Sequence, residues 1–132
     1  MYRLAESRAI AKYLAAHYGP GLLKFGSKAE SAAVEVWLEV ESQEFNPSAS
    51  VIVSEGLLKP LLYRGSPDLA VVKAQEAKLS QVLDVYEKRL SESKYLAGAE
   101  FTLADLNHYP YIYSLLKTPQ ERLTTSRPHV KS

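Results

Sequence analysis

The feature that most limits how this chain can fold is the spacing of its apolar residues between positions 72 and 90. Leu79, Leu83, Tyr86 and Leu90 follow one another at steps of three or four residues, which places them along one side of an α-helix. The stretch is long enough for about six helical turns. No part of the sequence keeps the strict alternation that predicts a strand of a packed sheet. The sequence therefore predicts an all-α fold, a helical bundle.

Helix start and stop signals divide the rest of the chain. Ser66-Pro67-Asp68 predicts the start of the long helix, with serine as its N-cap and proline at its first position. Ser27-Lys28-Ala29-Glu30 is a capping box, in which the serine accepts a hydrogen bond from the Glu30 amide. Proline inside a helix removes a donor and predicts its end. The other predicted helices run from about Ser7 to His17, from Ser27 to just before Pro47, from Ser48 to about Leu58 ahead of Pro60, and onward from Ser126-Arg127-Pro128.

The stretch from Phe101 to Leu106 has the pattern of another helix start. Thr102 is the expected N-cap and Asp105 lies at the third helical position, where its carboxylate can bond back to the Thr102 amide. Phe101 and Leu106 are spaced to form the apolar contact that often accompanies such a cap. Pro110 lies inside the helix that this cap opens, and a kink is expected there.

Composition excludes several classes of function. Apolar residues make up 46% of the 132 residues and charged residues 23%, as in an ordinary globular domain. The formal charge is only +1, so no nucleic-acid partner is expected. The absence of cysteine excludes disulfides, thiolate catalysis and cysteine-based zinc sites within this chain. No run approaches the roughly 20 apolar residues of a membrane span, and we expect a cytosolic protein without a membrane partner.

The histidines and the single tryptophan have structural explanations. His17, His108 and His129 lie far apart and show no metal-ligand spacing, so we expect no metal site. Each histidine is expected at the surface or partly buried on a helix. Trp37 lies on the apolar side of its helix and is expected in the core or at a subunit contact.

One short feature near the beginning carries a binding chemistry. Glu6-Ser7 lies where the first helix is expected to begin, and a helix start offers free amides and partial positive charge. A ligand carboxylate could bind the Ser7 hydroxyl and amide while Glu6 pairs with a neighbouring ammonium, as an amino-acid head group requires. The competing interpretation is structural, with Ser7 as the N-cap and Glu6 complementing the helix dipole.

Several segments, in the same order along the chain, resemble the phi class of plant glutathione S-transferases. The segment at the beginning is similar to the one that closes the thioredoxin-like domain of that class, and the others resemble the successive helices of its C-terminal domain. The matching segments are Leu4 to Tyr13, Val36 to Glu41, Leu79 to Leu90, Ser93 to Gly98 followed by Phe101 to Leu106, and Ser126 to Val130.

The resemblance implies a set of site residues. Glu6 and Ser7 would bind the amino group and the carboxylate of the γ-glutamyl end of glutathione, which acts as co-substrate without any further cofactor. Ser54 and Leu58 would line the pocket for a hydrophobic electrophile, as placed by ungapped extension from Trp37. Phi enzymes activate the thiol with a serine near the start of the thioredoxin-like domain. No catalytic residue is therefore assigned within this chain.

The resemblance also implies a domain organisation and an activity. Residues 1–20 would be the last helix of a thioredoxin-like domain and residues 27–132 an all-helical C-terminal domain, with both ends of the complete fold truncated. Complete members conjugate glutathione to hydrophobic electrophiles in detoxification and form homodimers. We expect this chain to be inactive alone. The alternative is a non-catalytic helical interaction module of the same fold.

Overall fold

The computed structural model describes residues 4–62 and 64–132, and in these residues it is all-α, without a strand, as predicted. Tyr95 and Gly98 form an isolated bridge. None of the described helices combines the length and apolar character that crossing a membrane requires. The elements are α1 (Ser7–Tyr18), a 3₁₀ helix (Pro20–Leu23), α2 (Lys28–Val40), a first π turn (Glu41–Phe45), α3 (Asn46–Val53), a second π turn (Ser54–Leu58), α4 (Lys59–Leu62), α5 (Leu69–Glu92), α6 (Leu103–Leu115), α7 (Arg122–Thr125) and α8 (Pro128–Lys131).

The helical backbone runs without interruption from Lys28 to Leu62, so the predicted boundaries at Pro47 and Pro60 are wrong. Each proline lies two residues after a π turn. In the first π turn the Asn46 amide donates to the Glu41 carbonyl, five residues back instead of four. A proline ring clashes with the carbonyl four residues before it in a regular α-helix. The π turn changes the backbone at that point, and the helix continues through the proline.

The long helix α5 is present as predicted, but its N-cap lies two residues further along the chain than predicted. Asp68, not Ser66, is the N-cap, and its Oδ1 accepts from the amides of Ala70 at 3.0 Å and Val71 at 3.1 Å. A carboxylate satisfies two free amides and complements the helix dipole. Pro67 therefore lies outside the helix.

The main core lies where α3 packs between α5 and α6. Phe45, Ile52, Leu79, Leu83 and Leu115 are fully buried there. A second, smaller core joins α1 to the start of α6 and consists of Ala15, Leu23, Val34 and Leu103. The first helix and the helical bundle thus share an apolar contact.

Aromatic residues fill the centre of the main core. The Trp37 ring packs edge-on against Tyr86 with centroids 5.4 Å apart, so the expected core position of Trp37 is confirmed. The expectation for His108 is wrong, because this side chain is only 4% exposed. Its Nδ1 donates to the Ala104 carbonyl at 2.7 Å, and its Nε2 accepts from the Tyr86 hydroxyl at 2.8 Å. Burial lowers the pKa of His108 and raises the pKa of Tyr86, which keeps both groups neutral.

Two short helices, α7 and α8, are held against α5 by charged side chains. The predicted start at Ser126-Arg127-Pro128 opens α8 at Pro128. The Arg127 guanidinium donates to Asp84 at 2.6 Å and to the Ser80 carbonyl at 3.0 Å. The Glu87 carboxylate accepts from the amides of His129 and Val130. These bonds act across more than 40 positions of sequence, and no local pattern predicts them.

Candidate functional site

The start of α1 is an open helix end. The helix begins at Ser7, and Glu6 occupies the N-cap position without donating or accepting a side-chain cap bond. Ser7 is therefore the first helical residue, and the structural interpretation that made it the N-cap is wrong. The amides of Ser7, Arg8 and Ala9 lie in the first turn, where no carbonyl of the same helix can accept from them. Both Glu6 and Ser7 are exposed.

The backbone at Glu6 has an unusual conformation for a glutamate. Its φ is +68°, and residues other than glycine seldom take positive φ. Such backbone conformations cost free energy and often occur at ligand sites. At Glu6 this conformation changes the direction of the chain immediately before the first turn of α1.

An ion pair holds this helix end against the bundle. The Arg8 Nε donates to Glu41 Oε2 at 2.6 Å and the Arg8 Nη2 donates to Glu41 Oε1 at 2.9 Å. Glu41 is the first residue of the first π turn and is 1% exposed. The hydrogen bond to Glu41 raises the pKa of Arg8 above its ordinary value. Because a bidentate pair fixes both distance and orientation, the residue next to Ser7 is held in place by the helical domain.

A groove of about 470 Å³ lies beside Ser7, between α1, the first π turn and α6. Arg8 and Glu41 form part of one wall, and Tyr109 of α6 forms part of the other. The Asn46 Oδ1 atom in this groove is buried without a hydrogen-bond partner among the described residues.

The two predicted electrophile-pocket residues lie elsewhere. Ser54 and Leu58 are the first and last residues of the second π turn. Both are exposed, Leu58 to 39%. Neither is among the residues that line the groove beside Ser7. The structure therefore brings Ser54 and Leu58 together on one turn but does not join them to Glu6 and Ser7 in one cavity.

At the start of α6 one carboxylate accepts hydrogen bonds from three donors. Asp105 Oδ2 accepts from the Thr102 amide at 2.9 Å and from its hydroxyl at 3.0 Å. Asp105 Oδ1 accepts from the Leu96 amide at 2.9 Å. Thr102 occupies the N-cap position and is 1% exposed. The Phe101 ring packs edge-on against Tyr95, a residue that the local motif does not contain.

Two residues of the site were not predicted. Arg8 and Glu41 are 33 positions apart, and each has the sequence surroundings of an ordinary helix-surface charge. The π turn turns Glu41 into the core, and nothing in the local pattern of charges signals that change. The signal that was available is the proline six residues after Glu41.

The comparisons with known proteins agree with this architecture. The family model described as glutathione S-transferase, C-terminal domain, matches residues 52–132. Glutathione S-transferase F7 of Arabidopsis thaliana is 49% identical over 134 residues, which cover 99% of this chain and 63% of the relative. Glutathione S-transferase 3 of Zea mays is also 49% identical, with 98% of this chain and 59% of the relative covered.

Solved structures give the same result. The crystal structure of glutathione transferase F7 from Populus trichocarpa matches with a TM-score of 0.90 at 44% identity, over 97% of this chain and 61% of that one. Glutathione S-transferase I bound with lactoylglutathione matches with a TM-score of 0.92 at 44% identity, over the same shares. The chain thus spans about three fifths of the length of the relatives it matches. It belongs to the glutathione S-transferase family and to the phi class within it.

Proposed function

We propose that this chain supplies the residues that bind the γ-glutamyl end of glutathione and one wall of the electrophile pocket in a glutathione transferase. The observation that carries the proposal is the open start of α1, where Ser7 presents a hydroxyl and a helix-end amide from which no carbonyl of the same helix can accept. A carboxylate placed there would accept charge-assisted hydrogen bonds and lie at the positive end of the helix dipole. The exposed Glu6 would pair with the ammonium group next to that carboxylate.

The pair Arg8 and Glu41 supports this assignment. It holds the first turn of α1 in one orientation, and a binding site works best when its donors are fixed before the ligand arrives. One similar structure holds lactoylglutathione and another holds an atrazine glutathione conjugate. These titles describe those proteins, and glutathione is the ligand class that we propose for this chain.

The chemistry would be attack of the glutathione thiolate on a hydrophobic electrophile. An unassisted thiol has a pKa of about 8.5, so only a few per cent is ionised at neutral pH. In the phi class the hydroxyl that favours the thiolate lies near the start of the thioredoxin-like domain. We propose that residues 1–20 are the last part of such a domain, that residues 27–132 form the helical domain, and that conjugation requires a thioredoxin-like half.

Ser54 and Leu58 are the proposed wall of the electrophile pocket. Their exposure leaves both side chains free to contact a substrate held by that thioredoxin-like half. Homodimer formation, a role in detoxification and a cytosolic location stay predictions of the family resemblance.

The experiment compares the 132-residue chain with a fusion. A phi-type thioredoxin-like half is joined ahead of Leu4, and the final helices of a phi relative are added after Ser132. We expect no conjugation above the uncatalysed rate from the 132-residue chain and clear turnover from the fusion. In the fusion Ser7→Ala should raise the KM for glutathione about tenfold or more, with little change in kcat, since Ser7 would contact a part of the ligand that does not react. Ser91→Ala, at an exposed serine of α5, is the matched control.

Three results would contradict the proposal. One is robust turnover by the 132-residue chain alone. The second is a folded fusion that does not conjugate. The third is a fusion whose glutathione affinity is unchanged by Ser7→Ala. A folded but inactive fusion would favour the non-catalytic interaction module.

A further inference from the structure

The second π turn, Ser54–Leu58, is tied to the start of the long helix through Glu55. The Glu55 Oε2 atom accepts from Lys59 Nζ at 2.8 Å and from the Asp68 amide at 2.7 Å. Asp68 is itself the N-cap of α5. The Asp68 amide and Lys59 hold the pKa of the Glu55 carboxyl below its usual range, so the tie is ionic at neutral pH. One side of the turn is therefore joined to the start of α5, one of the three helices around the main core.

The other side of the turn rests against the loop between α6 and α7. A β-carbon at Gly56 would lie 3.3 Å from Gln120 Oε1 and 3.5 Å from Thr118 Cβ. Thr118 is buried, and its hydroxyl donates to the Leu115 carbonyl at 2.8 Å. Gln120 Oε1 is also buried and has no hydrogen-bond partner within the described chain. A side chain at position 56 would therefore have to displace Gln120 Oε1 by a few tenths of an ångström.

Ser54 and Leu58 flank these two fixed points and remain exposed. We propose that Glu55 and Gly56 are positioning residues that set where Ser54 and Leu58 stand and thereby set the electrophile selectivity of the enzyme. The inference rests on the proposed function, because it takes Ser54 and Leu58 as the pocket wall. It adds two residues whose proposed role is to position that wall. A hydrophobic pocket that gains or loses one methylene changes discrimination by about 10- to 200-fold, so a small displacement of this wall has a measurable effect.

The first test removes the ionic tie in the fusion enzyme. The readout is the ratio of kcat/KM for a compact electrophile, chlorodinitrobenzene, to that for a longer one, benzyl isothiocyanate. We expect Glu55→Ala to change this ratio about 3- to 10-fold and to leave the KM for glutathione unchanged. Glu55→Gln keeps an acceptor for the Asp68 amide and should restore most of the ratio. Glu39→Ala, at an exposed glutamate of α2, is the matched control.

The second test adds a methyl group on the opposite side of the turn. Gly56→Ala replaces glycine by a better helix former, so loss of folding is not the expected result. Its β-carbon pushes against Gln120 Oε1 and should shift the same ratio. Adding Gln120→Ala removes that atom and should bring the ratio back towards the parent value. This rescue separates displacement of the wall from a general change in stability.

The outcomes distinguish this inference from the function on which it rests. If Leu58→Ala changes the ratio while Glu55→Ala and Gly56→Ala leave it within about twofold of the parent, the positioning role is wrong and the pocket wall stands. If Leu58→Ala and Ser54→Ala also leave the ratio unchanged, both the wall and its positioning are overturned. A shift in the KM for glutathione that equals the shift in kcat/KM would also contradict a role confined to the electrophile.

Discussion

The two π turns of the helix from Lys28 to Leu62 have the same backbone hydrogen-bond pattern, but the first is buried and the second is exposed. Each ends two residues before a proline and contains a backbone bond over five residues. The first buries both its end residues, Glu41 and Phe45, against the bundle. The second buries none of its five residues and presents Ser54 and Leu58 to the surface. The backbone alone therefore does not decide whether such a turn stabilises the fold or displays a site.

Side-chain chemistry makes the difference. In the first π turn Phe45 stacks on Tyr86 with centroids 5.9 Å apart, and Glu41 receives Arg8 from α1. In the second, the glutamate faces a lysine of the same helical segment and one amide of the following loop. The first turn is held mainly by buried apolar area, whereas the second is held by Leu57 against the main core and by a few polar contacts at its edges. The second turn is consequently the one that single substitutions can move.

The largest expected effect tests the buried side of this comparison. Phe45→Ala removes a fully buried ring and should lower the free energy of unfolding by about 3–5 kcal/mol. Leu58→Ala, at the matching last position of the second turn, should cost less than about 1 kcal/mol because the side chain is partly exposed. Urea denaturation of the two variants measures both values. Similar losses would contradict the distinction between a buried and an exposed turn.

Much of the fold follows from local sequence signals. The period of α5, the cap at Thr102 and Asp105 and the start of α8 are read from residues within one or two turns of each other, and those elements lie where predicted. The helix boundaries at Pro47 and Pro60 could not be predicted in this way. A proline excludes a regular helical hydrogen bond, but it does not show whether the helix ends there or continues through a wider π turn. For Pro47 the packing of α3 favours the wider turn, because Ala49 and Ile52 are buried in this register.

The candidate site shows the same division. Glu6 and Ser7 were predicted from the binding chemistry of this residue pair and from the family resemblance. The structure places both at an open helix start. Arg8, the residue after Ser7, pairs with Glu41 through a contact between two helices, and the pattern of charges near either residue does not indicate that pair. The carboxylate of Asp105 was expected to serve Thr102, whereas the third donor, the Leu96 amide, comes from outside the motif.

A pH dependence sharpens the comparison further. His108 packs against Phe45 of the first turn with centroids 4.9 Å apart, and burial lowers its pKa below the ordinary value of 6.5. The unfolded chain then binds a proton that the folded chain does not, so stability rises with pH in that window. The contribution of His108 is therefore complete above pH 6.5 and is lost as the pH falls below it. His108→Gln should reduce the slope of unfolding free energy against pH in this range.

The second turn responds only in more acidic solution. The Asp68 amide and Lys59 lower the pKa of Glu55 below the ordinary value of 4.5. Its contribution is complete above that value and is lost as the pH falls through the lower folded pKa. Denaturation curves of the parent, His108→Gln and Glu55→Gln, collected at several pH values, separate the two windows. An unchanged slope near pH 6 in His108→Gln would contradict the assignment to this histidine.

The smallest expected effect on stability comes from the prolines themselves. Pro47→Ala and Pro60→Ala each restore an amide and remove a ring, so a regular α-turn becomes possible at both positions. Loss of a π turn would rotate everything after it by about 100° relative to everything before it. After the first turn comes α3, whose Ala49 and Ile52 are fully buried, and such a rotation would expose them. We therefore expect Pro47→Ala to keep the bond from the Asn46 amide to the Glu41 carbonyl.

After the second turn comes α4, the four residues Lys59–Leu62, none of which is buried. A change of register there costs little apolar burial, and the tie through Glu55 opposes it. Pro60→Ala alone should keep the π turn, whereas Pro60→Ala combined with Glu55→Ala should release it, so that the Lys59 amide donates to the carbonyl of residue 55. The free energy of unfolding of each of these two variants should stay within about 1 kcal/mol of that of the parent. A crystal structure of each variant shows which bond is present. If the first turn becomes a regular α-turn in Pro47→Ala, burial of α3 does not hold it. If the second π turn persists in the double variant, the tie through Glu55 does not hold that one.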